Sequence, residues 1–267
     1  MFTTQSMAAR PRPALTIVVP TYNERDRLDT LVEQVLTACA RDAINAEVII
    51  VDDNSPDGTG ACADAWSLHS PVRVIHRTGK QGLGTAVLEG FAAADSDIVG
   101  VMDADLSHPP ALIPTLYSAL EGTALDMVVA SRYVSGGGAR EWSAGRAVLS
   151  RLGCWLSRPL TPVRDAMSGF FLIRRTRAAE VRAGTRGFKI GLELLVRAPL
   201  RGVAEVGYVF VGRVAGQSKM TWAEALCFVQ QLARLYLRES TRPRPSHVVL
   251  TPADVQTRQR SRLEHAL

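Results

Sequence analysis

Asp103 and Asp105 stand two residues apart, directly behind the apolar run Ile98 to Met102. Carboxylates at i and i+2 after a strand can reach one cleft together, where hard oxygen ligands hold Mg²⁺ or Mn²⁺ against the oxygens of a diphosphate. The competing use is an acidic cap on a helix opened by Pro109 and Pro110. The pair is the strongest local signal in the chain. Two more polar clusters follow apolar runs in the same way. Pro20-Thr21-Tyr22-Asn23-Glu24 succeeds Leu15 to Val19, and Asp52-Asp53-Asn54-Ser55-Pro56-Asp57-Gly58 succeeds Glu47 to Val51. A carboxylate at a strand end can accept the N–H groups of a base or the hydroxyls of a ribose, and a tyrosine can stack on a base. Each cluster taken alone also reads as turn chemistry. Their recurrence at successive strand ends favours a nucleotide site.

Alternating strands and helices must position these residues. Short apolar runs at Leu15 to Val19, Glu47 to Val51, Val72 to His76, Ile98 to Met102 and Asp126 to Ala130 alternate with helix-length amphipathic segments from Asp26, Asp57, Thr85 and Pro110. That order predicts right-handed βαβ units on a mostly parallel sheet with helices on both faces. Ligands of such sheets sit at the carboxyl ends of the strands, where the polar clusters are. After Ser131 the pattern changes to a loop, Ser135 to Gly138, and a basic amphipathic helix from Ser143 to Arg158. Leu149, Leu152, Leu156 and Leu160 recur there at helical spacing, with Arg146, Arg151 and Arg158 interleaved. Further helices are expected over Lys189 to Leu200 and Thr221 to Arg238, with a strand from Val203 to Val211 between them. The polar, proline-containing stretch 240–267 is expected to be mobile. The glycines of Gly79 to Thr85 fail the dinucleotide-binding pattern, because they follow the third strand and Val87 takes the place of the third glycine. A tight turn into a helix accounts for them.

With 267 residues, 46% of them hydrophobic, the chain can bury one large α/β core, and nothing requires a second domain. No apolar run approaches the ~18 residues of a membrane span. Arg10 and Arg12 precede only a short apolar run, too brief for a signal-peptide core. A protein working in solution or at a membrane surface is expected. Cys39, Cys62, Cys154 and Cys227 have no metal-ligand spacing and read as reduced core residues of a cytosolic-type compartment. The net charge of +5 is spread along the chain and carried mostly by arginine, with lysine only at positions 80, 189 and 219, so it does not point to nucleic acid.

The series PTYNE, VDDNSPDGT, GLGTA, MDADLSHPP, SRY, SGF and RVAGQSKM, in this order and spacing, resembles the polyprenol (dolichol) phosphate mannose synthases of glycosyltransferase family 2 over roughly Leu15 to Arg238. Several of these motifs belong to the wider family, whereas GLGTA with DADLSHPP and the distal arginine-plus-SK element are more specific to the polyprenol phosphate branch. The resemblance implies a GT-A-like α/β fold with amphipathic C-terminal helices. Residues 1–14 would be a flexible N-terminus, about 15–133 the nucleotide-binding half and about 134–239 the acceptor half. It implies transfer of mannose from GDP-mannose to a polyprenyl phosphate, inverting the anomeric carbon and releasing GDP. The alternatives are a related transferase using UDP-glucose or another nucleotide sugar, and a catalytically silent sugar-nucleotide-binding partner.

Position by position, the resemblance places Pro20, Tyr22, Glu24, Val51 and Asp53 on the sugar nucleotide, with Asp103 and Ala104 beside it. Asp105 becomes the principal metal ligand, and Ser107 stands where some relatives carry a metal-binding glutamine. Arg132, Arg213 and Lys219 match cationic contacts to the diphosphate and sugar, although the loop at Gly212 lacks an acidic residue that some relatives have. Asp165 lies in an element lining the cleft and would orient a hydroxyl or the arginines, or act as a base. Physical reasoning reaches the same requirement for cations, because negative charge accumulates on a departing diphosphate. Arg146 and Ser150, four apart on the basic helix, would share a face and could grip an acceptor phosphate. An acceptor lipid places the protein peripherally on the cytoplasmic face of a membrane, with a possible membrane partner subunit. The stretch Trp142 to Leu160 and a stripe from Trp222 to Tyr236 are the candidate interfacial elements.

Overall fold

In the computed structural model, residues 11–140, 142–181, 189–212, 222–239 and 241–266 are described. The first half runs β1 (Leu15–Thr21), α1 (Arg25–Arg41), β2 (Ala46–Asp52), α2 (Thr59–Ser67), β3 (Val72–His76), α3 (Leu83–Ala93), β4 (Ile98–Val101), α4 (Ile113–Leu120) and β5 (Met127–Ser131). The second half adds β6 (Gly138–Ala139), α5 (Ala144–Ser157), β7 (Phe171–Arg174), α6 (Arg175–Ala179), α7 (Ile190–Arg197), β8 (Gly202–Gly207), β9 (Val209–Phe210), α8 (Trp222–Glu239), β10 (Ser246–Leu250) and α9 (Pro252–Ala266).

Eight strands form one sheet in the order β10-β8-β5-β7-β4-β1-β2-β3, while β6 and β9 pair separately. Only β7 runs against the rest of the large sheet, pairing antiparallel with both β4 and β5. The inner strands read as near-continuous apolar runs because both faces are covered, whereas the edge strands β3 and β10 are only partly buried. Along β1, Leu15, Ile17 and Val19 pack with Leu28, Leu31 and Val35 of α1 and with Leu116 of α4. Val18 points the other way, into the layer of Val87 and Phe91 from α3 and Leu192 and Leu195 from α7. The expected fold class therefore holds.

Several elements differ from the sequence expectation. The run Phe171–Arg174 is too short to announce a strand, yet β7 fills the centre of the sheet. The stretch expected to be mobile instead supplies β10 and α9. The edge of β8 offers unpaired backbone groups, and Ser246 to Leu250 satisfy them in parallel register. Helix α9 is held at its start by reciprocal bonds between Thr251 and Asp254: Thr251 N–H donates to Asp254 Oδ2 at 2.7 Å, and Asp254 N–H to Thr251 Oγ1 at 3.2 Å. It docks by Val255, 1% exposed. The predicted strand Val203 to Val211 breaks at Tyr208 into β8 and β9, and α7 stops at Arg197 because Ala198 precedes a proline. At the end of β8, a Cβ on Gly207 would strike the backbone of Ser135 and Gly136, so glycine lets that loop arch over the sheet.

Candidate active site

A cleft of about 340 Å³ opens at the carboxyl ends of β1, β4 and β5. Pro20, Tyr22 and Glu24 line it after β1, Asp103, Ala104 and Asp105 after β4, and Arg132 after β5, with Arg146 reaching in from α5. Met167, Ser168 and Gly169 enter just before β7, whose reversed direction brings its start to the same edge. Three left-handed non-glycine residues, Asn23 (φ 60°), Asn54 (φ 58°) and Leu106 (φ 61°), lie in the loops after β1, β2 and β4. Asparagine tolerates this conformation, but leucine adopts it only where its surroundings impose it.

The imposition at Leu106 comes from its neighbours. Ser107 donates to Asp105 Oδ1 twice, from its backbone N–H at 3.1 Å and its hydroxyl at 2.5 Å. Asp103 N–H donates to Nδ1 of His108 at 3.1 Å. The His108 ring is buried and stacks on Phe170 with centroids 5.2 Å apart. Burial pushes its pKa down, against the pull of Asp103 and Asp105, which suits a neutral ring accepting at Nδ1. The loop thus carries Asp103 with its side chain 39% exposed, and Asp105 nearly buried, at the cleft wall.

The first two loops are stitched together. Thr21 Oγ1 donates to Asp52 at 3.0 Å, Asn23 N–H to Ser55 Oγ at 3.0 Å and Glu24 N–H to Thr59 Oγ1 at 3.0 Å. Lys80 sits 4.7 Å from the centroid of the Tyr22 ring. Opposite, Arg132 is clamped by Asp165: its backbone N–H, Nε and Nη2 donate at 2.8, 2.7 and 2.6 Å. Burial works against the guanidinium charge, but the paired carboxylate outweighs it and raises the pKa. The guanidinium carbons of Arg132 and Arg146 lie 5.0 and 4.6 Å from the Trp142 ring centroid, so one indole organises both cations.

Several expected residues sit elsewhere than predicted. Val51 and Asp53 do not line the cleft: Val51 is fully buried, and the Asp53 carboxylate accepts from Arg77 Nη1 at 2.6 Å. Ser107 is turned behind Asp105, so it orients that carboxylate rather than facing the cleft. Asp165 is wholly buried and paired to Arg132, which matches the arginine-orienting role among those expected of it and not that of a base toward an acceptor in the cleft. Ser150 accepts from Tyr133 Oη at 2.9 Å and lies outside the cleft, leaving Arg146 alone to represent the predicted clamp. Arg213 and Lys219 lie outside the described residues. Sequence reasoning passed over Lys80, Lys189 and Phe210, and it assigned Trp142 to a membrane-facing stretch, whereas the indole packs partly buried against Phe210 and the two arginines. The two lysines were legible as two of only three in the chain.

Among the described residues, no group of three or more His, Cys, Asp or Glu side chains could enclose a metal. Two carboxylates on one loop still suit a hard divalent cation whose remaining ligands come from a diphosphate and water, as Mg²⁺ in particular prefers.

The family model "Glycosyl transferase family 2" matches residues 16–191. This chain belongs to glycosyltransferase family 2. Within the family, a dolichol-phosphate mannosyltransferase of Pyrococcus furiosus is 36% identical over 225 residues, 83% of this chain and 63% of that protein. The chain therefore spans less than two thirds of the Pyrococcus relative. A polyprenol monophosphomannose synthase of Mycolicibacterium smegmatis is 38% identical over 224 residues, 79% of this chain and 83% of the relative. The fold is GT-A-like: glucosyl-3-phosphoglycerate synthase from Mycobacterium tuberculosis, solved with Mn²⁺, UDP and glucosyl-3-phosphoglycerate, superposes with a TM-score of 0.62. That match covers 86% of this chain and 81% of the other at 21% identity. The cleft of this family 2 chain is lined by both acidic and cationic side chains.

Proposed function

We propose that this chain transfers a mannosyl group from GDP-mannose to a polyprenyl phosphate, inverting the anomeric carbon and releasing GDP. The observation that carries the reading is a single cleft lined both by Asp103 and Asp105 and by Arg132 and Arg146. The names of the Pyrococcus and Mycolicibacterium relatives supply the mannosyl group and the polyprenol-type acceptor.

Asp103 and Asp105 would hold Mg²⁺ or Mn²⁺, which supplies Lewis-acid stabilisation of the departing diphosphate. Pro20, Tyr22 and Glu24 form the wall for the nucleoside, and Arg132, fixed by Asp165, presents positive charge to the phosphates. Arg213 and Lys219 belong to the same cationic set on the strength of the sequence resemblance. An acceptor phosphate monoester, with a second pKa of ~6, is an anionic nucleophile at neutral pH and needs no strong base. Arg146 is the group placed to receive it. The test is a panel of GDP- and UDP-linked sugars with one polyprenyl phosphate, read by the mass of the lipid product. Hexose transfer from GDP-mannose alone is expected, and preference for a UDP-sugar would overturn the donor assignment.

The acceptor also requires a membrane surface. Among the described residues, no helix is long and apolar enough to cross a membrane. On α5, Val148, Leu149, Leu152 and Trp155 are exposed by 63, 44, 46 and 68%, beside the exposed Arg151 and Arg158, while Leu156 and Leu160 turn into the core. On α8, Leu226, Val229 and Leu237 are exposed in the same way. Apolar side chains flanked by arginines fit an anionic headgroup layer, and Arg146 on α5 joins that face to the cleft. Changing Leu152 and Trp155 to serine is expected to weaken co-sedimentation with anionic liposomes and to slow transfer to a long-chain acceptor, sparing a short water-soluble prenyl phosphate. Equal loss with both acceptors, liposome binding intact, would refute the interfacial role.

A further inference from the structure

Strand β10 lies beyond the region matched by the family model, yet it is tied to the cleft by an unbroken chain of hydrogen bonds. His247, on β10, has its Nε2 2.8 Å from Oε2 of Glu205 on β8. Glu205 is completely buried, and its carboxylate accepts the backbone N–H of Arg164 at 2.8 Å and of Asp165 at 3.0 Å. Asp165 in turn takes the bidentate grip of Arg132. Burial alone would push the Glu205 carboxyl up, but His247, the two backbone donors and Ser131 more than offset it and hold it below the usual range.

We infer that the C-terminal strand belongs to the catalytic apparatus, with His247 and Glu205 as positioning residues that fix the Arg164–Asp165 turn and thereby aim Arg132 into the cleft. A buried carboxylate that gathers two backbone N–H groups specifies a loop's position more tightly than apolar packing does, because misplacing the loop leaves charge and donors unpaired together. Without a donor at 247, the Glu205 carboxylate must find another partner within the core, and the turn it holds is free to shift. Because the guanidinium engages through a planar fork, small displacements of Asp165 cost it a bond. The inference rests on the reading that Arg132 serves the departing diphosphate.

The experiment compares full-length His247→Val, which suits a strand but cannot donate, with His247→Gln, which can, alongside Arg132→Ala. For each, kcat and acceptor KM for sugar transfer are measured, with thermal unfolding and the exchange protection of the Arg132 Nε–H proton by NMR. His247→Val is expected to lower kcat by about 10-fold to 100-fold, as loss of a charge-assisted bond allows. Acceptor KM should stay unchanged and the Arg132 Nε–H should lose protection, with both effects largely reversed in His247→Gln. An unaltered Arg132 proton and unaltered kcat in His247→Val, with Arg132→Ala impaired, overturns the inference alone. Full activity of Arg132→Ala overturns instead the reading of the site on which it rests. Should His247→Val not fold, Glu205→Gln, which keeps volume but sets its amide NH2 against one of the two backbone N–H groups, is judged by the same Arg132 signal.

Discussion

Asp105→Ala is expected to abolish sugar transfer while the chain still folds. The carboxylate lies at the cleft wall, only 7% exposed, with Oδ1 already taken by the two bonds from Ser107. The same carboxylate is the group that would reach a divalent ion. Removing it is expected to cost roughly 3 kcal/mol or more of transition-state stabilisation, a hundredfold or greater loss in kcat. Alanine also orphans the Ser107 N–H, a penalty of about 1–3 kcal/mol that should appear as a lower Tm. Asp105→Asn separates the two effects, because its amide oxygen can still receive Ser107. Near-normal unfolding with transfer lost, mimicked in the native enzyme by chelation, is the expected pattern, measured by radiolabelled transfer and calorimetry. Full turnover of both variants in metal-supplemented buffer would remove Asp105 from the metal site.

Arg132→Ala should be nearly as damaging to transfer and more damaging to the fold. The side chain is 8% exposed and its partner Asp165 is wholly buried, so truncation leaves an uncompensated charge in the core. Breaking a buried pair in this way costs roughly 3–5 kcal/mol of stability. Loss of the cation from the cleft should lower kcat by about a hundredfold or more, by analogy with deleting one oxyanion donor. The double variant Arg132→Ala/Asp165→Asn is the informative one: neutralising the orphan should return much of the stability and none of the transfer. Recovery of both together would mean that Arg132 matters only to folding. Arg132→Lys keeps the charge and the backbone bond to Asp165 but cannot reproduce the paired grip of Nε and Nη2, so an intermediate rate is expected.

The sequence made the first five strands legible because β1, β2, β4 and β5 are almost wholly buried and read as apolar runs, while the edge strand β3 keeps Val72, Val74 and Ile75 between exposed Arg73 and His76; it located the cleft because ligands of parallel sheets gather at one end. Hidden from it was the direction in which a side chain points. Asp103, Asp105 and Ser107 stand at alternate positions of one motif, yet a left-handed Leu106 turns Ser107 away from the cleft and toward Asp105. Arg146 and Ser150 share a helix face, but only the first reaches the cleft, since the second is occupied by Tyr133. Asp53 looked like a nucleotide ligand because nothing in its surroundings announced Arg77, 24 residues on. The C-terminal strand was masked by the polar and proline residues before it, although Thr251-Pro252-Ala253-Asp254 spells a helix start that could have been read.

The reversed strand β7 has a consequence for the order in which the chain folds. Strands β1 to β4 can assemble as soon as residue 101 is available, and β5, β8 and β10 make a second raft that needs residue 250. Among the described strands, only β7, four residues long, pairs with both rafts, and it reaches β4 from about 70 positions away in the chain. Such a non-local closure is slow, since the entropy of drawing distant segments together is lost before their contacts form. Pulse-labelled hydrogen exchange during refolding should therefore protect the amides of β1 and β2 early and those of β7 late. Simultaneous protection would rule out the two-raft route. Until β7 arrives, β4 is an open strand edge, and a chain halted at that stage is the species on which intermolecular pairing and aggregation should begin.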